Sequence, residues 1–143
     1  MKERIALTII GTPMAVQSVR AVRFGKTIRT FQPKKVEDWK AYVRLAALEQ
    51  LPEGWQLLDG ALAVSYTLVF PVLKSMSQKV LKQIENGETV YKTTKPDVDN
   101  CLKGLNDSLS GVVWKDDALI CKVMVKKVYG MTPRIEINVN GVD

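Results

Sequence analysis

The chain has 143 residues, 46% of them hydrophobic and 25% charged, with a formal net charge of +6 and no histidine. That length suits a single domain over residues 1–143 with one core, and the composition excludes fibrous and disordered classes. The absence of histidine removes every Ser-His or Cys-His mechanism and the commonest general base, so catalysis would fall to carboxylates, lysine or a metal they hold.

The charge is uneven. Residues 1–50 hold ten Lys/Arg against four Asp/Glu, and the remainder of the chain is nearly balanced. A basic first third suggests a polyanionic partner. No apolar run reaches the roughly 20 residues that span a bilayer, and the N-terminus turns polar too soon for a signal peptide, so the expected location is cytoplasmic, away from membranes. Cys101 and Cys121 each fall in apolar patterns, which predicts reduced thiols packed in a core. Zinc is not expected, because the chain has neither histidine nor a C-x-x-C pair.

In chain order, Ile5, Leu7 and Ile9 predict a first strand over 5–10. The following segment, "GTPMAVQSVRAVRFGKTIRTFQ", reads as a long loop of functional or mobile type carrying Arg20, Arg23, Lys26 and Arg29. Its Phe24 and Phe31 could stack on bases or simply pack, and packing is the preferred reading. From Pro33 to about Leu51, Val36, Trp39, Val43, Ala46 and Ala47 follow helical spacing. Lys34, Lys35, Lys40 and Arg44 read as the solvated face of that helix. "ALAVSYTLVF" is the clearest strand, and a short helix runs from Ser77 to Asn86, with Gly87 as its stop.

Val98, Cys101, Leu102, Leu105 and Leu109 then predict a helix that begins near Pro96 to Asp99 and ends before Gly111. "VVW" suggests a brief extended piece and Lys115-Asp116-Asp117 a turn. Leu119, Cys121, Val123 and Val125 alternate along a strand, with Lys122 and Lys126 on its other face. "GMTP" turns the chain into a hairpin with Ile135, Ile137 and Val139. The expected fold is α+β, a mixed sheet of about four to five strands flanked by two or three helices.

Asp97 and Asp99 carry the chemical interest. Inside a helix a spacing of two turns side chains about 200° apart, so the two cooperate only if Asp97 precedes the regular helix. Pro96 favours that arrangement. A lone aspartate at a helix start is more often a cap than a catalyst. Two adjacent acids, however, repel unless a cation lies between them or one takes a proton. Oxygen-only donors suit Mg²⁺, or Mn²⁺ as a substitute, and Asp116 and Asp117 could complete the set or simply form a solvated turn. Lys103, four residues after Asp99, shares its helix face, either as an exposed ion-pair partner or to steady charge developing on a phosphate.

The stretch "KPDVDNCLKGLNDSLSGVVWKDDALI" resembles the signature of the RusA family of Holliday-junction resolvases: Asp-x-Asp-Asn, a lysine at the family offset, a later aspartate, and a tryptophan before Asp-Asp. The looser likeness takes in the N-terminal "GTP" and the helix with "VEDWK". The resemblance implies a homodimeric, Mg²⁺-dependent endonuclease that resolves four-way DNA junctions by paired symmetric cuts. It makes Asp97, Asp99 and Asp117 metal-binding and catalytic carboxylates and Lys103 the essential lysine, with Asp116 a further candidate ligand. Asn100 stands beside them to orient a ligand or assist the cap. Arg20, Arg23, Lys26 and Arg29 would hold junction phosphates, and Lys95, with Lys92 nearby, would either help seat the scissile one or somewhat weaken metal binding.

Overall fold

The computed structural model describes residues 3–16, 20–31 and 34–142; along the two strands within 20–31 it describes the backbone only. The proposed helix-starting Pro33 and the packing of Phe24 and Phe31 lie outside what is described.

Strand β1 (Arg4–Ile10) buries Ile5, Leu7 and Ile9 and exposes the residues between them, as a period of two requires. The basic segment read as a long loop contains a hairpin instead, β2 (Arg20–Phe24) and β3 (Thr27–Phe31), in a two-stranded sheet of its own. Gly25, at φ +59°, supplies the left-handed turn that a two-residue connection needs. Helix α1 (Lys34–Gln50) buries Val36, Val43 and Ala47. Its Lys40, expected on the solvated face, is only 6% exposed. The reason is a partner across the interface, described below.

Strand β4 (Leu62–Pro71) points Leu62, Val64, Tyr66, Leu68 and Phe70 into the core. Helix α2 (Gln78–Glu85) starts at Ser77, whose side chain accepts from the Val80 N–H, and Gly87 follows its end at φ +85°. Helix α3 (Val98–Leu109) leads to a turn, a short 3-10 segment (Asp117–Leu119), β5 (Ile120–Gly130) and β6 (Arg134–Gly141). "VVW" is therefore part of a turn, with Trp114 bridging to Leu58, and Leu119 precedes the strand it was expected to open.

The four long strands form one mixed sheet in the order β1-β6-β4-β5, antiparallel except for the β4/β5 pair. With its three helices the fold is α+β. β5 and β6 are not the expected hairpin, because β4 lies between them and residues 131–133 cross over its end. Burial explains the choice. β4 is apolar enough to hold a central position, with Val69 buried as well as the inward row. β5 carries Lys122, Lys126 and Lys127, residues that suit an edge. The edge position also corrects the cysteine reading, since Cys101 is buried on the inner face of α3 whereas Cys121 is exposed, and Val123 is 48% exposed. Helix α1 packs against β1 and α3, and α3 also against β5. The start of α3 therefore lies near the β4/β5 side of the sheet.

Candidate active site

Helix α3 begins where its sequence directs. Asp97 occupies the cap position in an extended conformation (φ −71°, ψ 148°), Asp99 lies in the first turn, and Cys101, Leu105 and Leu109 bury the inner stripe. The geometry therefore leaves Asp97 outside the regular helix. Its carboxylate makes no capping hydrogen bond, although unpaired amides and the positive end of the helix dipole are beside it. Both aspartates are exposed, and among the described residues neither carboxylate engages in a hydrogen bond or ion pair. Beneath them the Cys101 thiol is pushed up to about 11. Burial is the main cause, the Lys127 charge opposes it, and the negative charges of Asp99 and Asp97 add to it.

The second acidic pair is held differently. Asp116 caps the 3-10 segment, its Oδ1 accepting from the Ala118 N–H at 2.9 Å. Asp117 Oδ1 accepts from the indole Nε1–H of fully buried Trp114 at 2.8 Å. This gives the tryptophan of the motif a physical task, since a rigid buried ring fixes one oxygen of Asp117. The same aspartate acts on Tyr66. Burial first, and the Asp117 charge second, hold the Tyr66 hydroxyl well above its ordinary range. The neutral hydroxyl donates to Asn106 Oδ1 at 2.7 Å.

Asp117 lines a cleft of about 410 Å³ together with Lys103, Asn106, Lys40, Asp107 and Val16. Asp99, Lys103 and Asn106 follow one another at helical spacings of four and three, so the stripe bearing Asp99 continues into the cleft wall. Lys103 and Asp99 form no ion pair, and Lys103 is exposed. Lys40, whose side chain comes from α1, is anchored by Asp107 Oδ2 at 2.7 Å, with Glu37 at 3.9 Å. Burying that ammonium is tolerable because the partner is close and bonded. Sequence reading did not anticipate Lys40, Asn106 or Tyr66 here; a lysine in register with helical apolar positions was the available signal.

Gly104 makes the close approach of three segments possible. A Cβ there would stand 2.3 Å from Val16 Cγ2 and 3.2 Å from the Trp39 ring. The N-terminal segment thus lies directly on α3, secured by the Val16 N–H donating to the Asn100 carbonyl at 3.0 Å. The Asn100 backbone therefore has a structural task, next to Asp99.

Lys95 is exposed immediately ahead of this site, and the Lys95–Pro96 peptide is cis. Lys26 is exposed in the β2–β3 turn, and Arg20, Arg23 and Arg29 belong to the hairpin strands. A separate cavity of about 450 Å³ on the opposite face of the sheet, bounded by Thr67, Lys126 and the Arg134–Glu136 pair, contains none of the candidate catalytic, metal-binding or DNA-binding residues.

Carboxylate oxygens are the donors that hard divalent cations take, and Asp97 and Asp99 have theirs unengaged. In kind, then, the residues suit such a cation. They do not converge on one point: among the described residues no group of three or more Asp, Glu or Cys stands close enough to hold a metal ion. No helix among them is long and apolar enough to cross a membrane.

The domain is α+β, with unengaged acids at a helix start beside a cleft bearing lysines and a pinned aspartate. The chain matches the family described as Endodeoxyribonuclease RusA over residues 11–140, and it belongs to that family. It is also 34% identical over 141 residues, covering 96% of each chain, to a Bacillus subtilis (strain 168) protein described as uncharacterized protein YqaN. Family membership brings with it endodeoxyribonuclease activity and DNA as the substrate.

Proposed function

We propose that this protein resolves four-way DNA junctions, acting as a homodimer that makes paired symmetric cuts with Mg²⁺, or Mn²⁺ in its place. The observation that carries the reading is the pair of unengaged carboxylates on Asp97 and Asp99, next to a cleft that holds Lys103 and an Asp117 fixed by Trp114. If these aspartates were only caps, Asp97 would use its oxygen as Asp116 does.

In this reading Asp97, Asp99 and Asp117 are the ligands of the divalent cation, with Asp116 adjacent. The chemistry such a cation would supply is an activated water and an offset of charge on the phosphate. The protein's own contribution is orientation and charge. Lys103, unpaired in the cleft, steadies negative charge as it develops on the phosphate. Lys40 adds a fixed positive charge to the cleft, and its ion pair with Asp107 ties α1 to α3. Arg20, Arg23, Lys26, Arg29 and Lys95 grip the junction's backbone, so affinity falls steeply with salt. Two strands related by near two-fold symmetry call for two sites in matching orientation, which a two-fold dimer provides.

The test is a synthetic four-way junction incubated with the protein and Mg²⁺. Symmetric nicks, lost in Asp97→Asn and in excess chelator, are expected. Binding without cleavage would instead make the protein a DNA-binding module, and cleavage undiminished by chelator would overturn the cation's role.

A further inference from the structure

The segment that leads into α3 is strapped along the outer edge of β5. The Tyr129 N–H donates to the Val90 carbonyl (3.0 Å), the Lys92 N–H donates to the Lys127 carbonyl (2.9 Å), and Tyr91 bridges antiparallel to Val128. The Lys92 ammonium adds a side-chain tie, donating to Thr94 Oγ1 at 2.8 Å and lying 5.3 Å from the ring centres of both Phe70 and Tyr129.

Beyond Lys92 the backbone ladder stops and one side chain takes over. Lys127 Nζ donates to the Thr94 carbonyl at 2.7 Å and to the Pro96 carbonyl at 2.8 Å. The next residue is Asp97. Lys127 is registered against Leu68 of β4 and so projects from the helix-covered face, half-buried. It forms no ion pair among the described residues, so its charge-assisted bonds go to these two carbonyls.

We infer that Lys127 is a positioning residue for Asp97, clamping through two backbone carbonyls the chain that carries this carboxylate into the site. The inference rests on the nuclease reading of Asp97. The physical need is plain: Asp97 precedes the regular helix and makes no capping bond, so its place depends on the chain arriving from Pro96. A displacement of about 1 Å at a reacting group can cost on the order of 100-fold in rate.

The experiment compares the full-length wild type with Lys127→Met and Lys127→Arg. Amide hydrogen exchange is measured on the free proteins, together with junction affinity in chelator and single-turnover cleavage with Mg²⁺. The Cys101 amide, bonded to the Asp97 carbonyl at 3.3 Å, reports the start of the helix, while the Lys92 and Tyr129 amides report the strap. In Lys127→Met the Cys101 amide should exchange about tenfold faster or more, with Lys92 and Tyr129 unchanged. Cleavage should fall by about 10- to 100-fold while junction affinity stays within about twofold. Lys127→Arg, which keeps charge and donors, should restore most of both losses. Exchange and cleavage like the wild type in Lys127→Met would overturn the inference. So would loss of protection at Lys92 and Tyr129 along with Cys101, which would make Lys127 a general support of the fold. If the wild type itself cuts no junction, the nuclease reading fails separately, and the exchange pattern still decides whether Lys127 holds the Asp97 segment.

Discussion

The two acidic pairs of this chain are alike in composition and opposite in circumstance. At the start of α3, Asp97 stands in the cap position and leaves its carboxylate unused, and Asp99 is equally unengaged. Ahead of β5, Asp116 spends an oxygen on the Ala118 amide, and Asp117 is held by the Trp114 indole. An aspartate with its oxygen taken by the local backbone serves structure. One left unengaged, or pinned from one side only, stays available for chemistry. On the proposed nuclease reading, Asp117 then groups with Asp97 and Asp99, and Asp116 stands apart.

The most severe test separates those groups by activity. Asp97→Asn and Asp117→Asn should each reduce junction cleavage by at least ~100-fold while thermal unfolding changes little. Equal losses from Asp116→Asn would break the comparison. Next, Gly104→Ala probes the helix that joins the two regions. An exposed helical glycine replaced by alanine gains about 1 kcal/mol. Here the new methyl would meet Val16, so a net loss of roughly 1–3 kcal/mol is expected in denaturant unfolding.

A milder change, Trp114→Phe, keeps a buried ring but removes the donor to Asp117. Single-turnover cleavage should fall about tenfold, with about 1 kcal/mol lost in stability. The smallest effect is expected from Asp116→Ala. It should cost about 0.5–2 kcal/mol through the lost cap and leave cleavage within a few-fold of wild type, which sharpens the division between Asp116 and Asp117.

Much of the fold was legible because its signals are local. The alternation in β1, β4 and β6 and the three-four spacing in α1 and α3 place apolar rows without knowledge of any partner. The hairpin β2–β3 was missed although Phe-Gly-Lys-Thr offered a two-residue turn, because arginines broke the apolar alternation on either side. Lys40 was misjudged for a different reason. A lysine on an amphipathic helix reads as solvated unless an acid waits across the interface, and Asp107 is 67 residues away in the chain. Cys121 followed the strand period correctly, but that period says nothing of whether a helix covers the strand.

The site divides in the same way. That Asp97 would precede the helix and Asp99 open it followed from Pro96 and the apolar stripe behind them, since backbone preference acts between adjacent residues. That β4 would separate β5 from β6, that Trp114 would grip Asp117, and that Lys127 would reach back to the chain before Asp97 were decided only on folding. These contacts join residues brought together by burial, and a distance in space between elements leaves no periodic trace in the order of residues along either one.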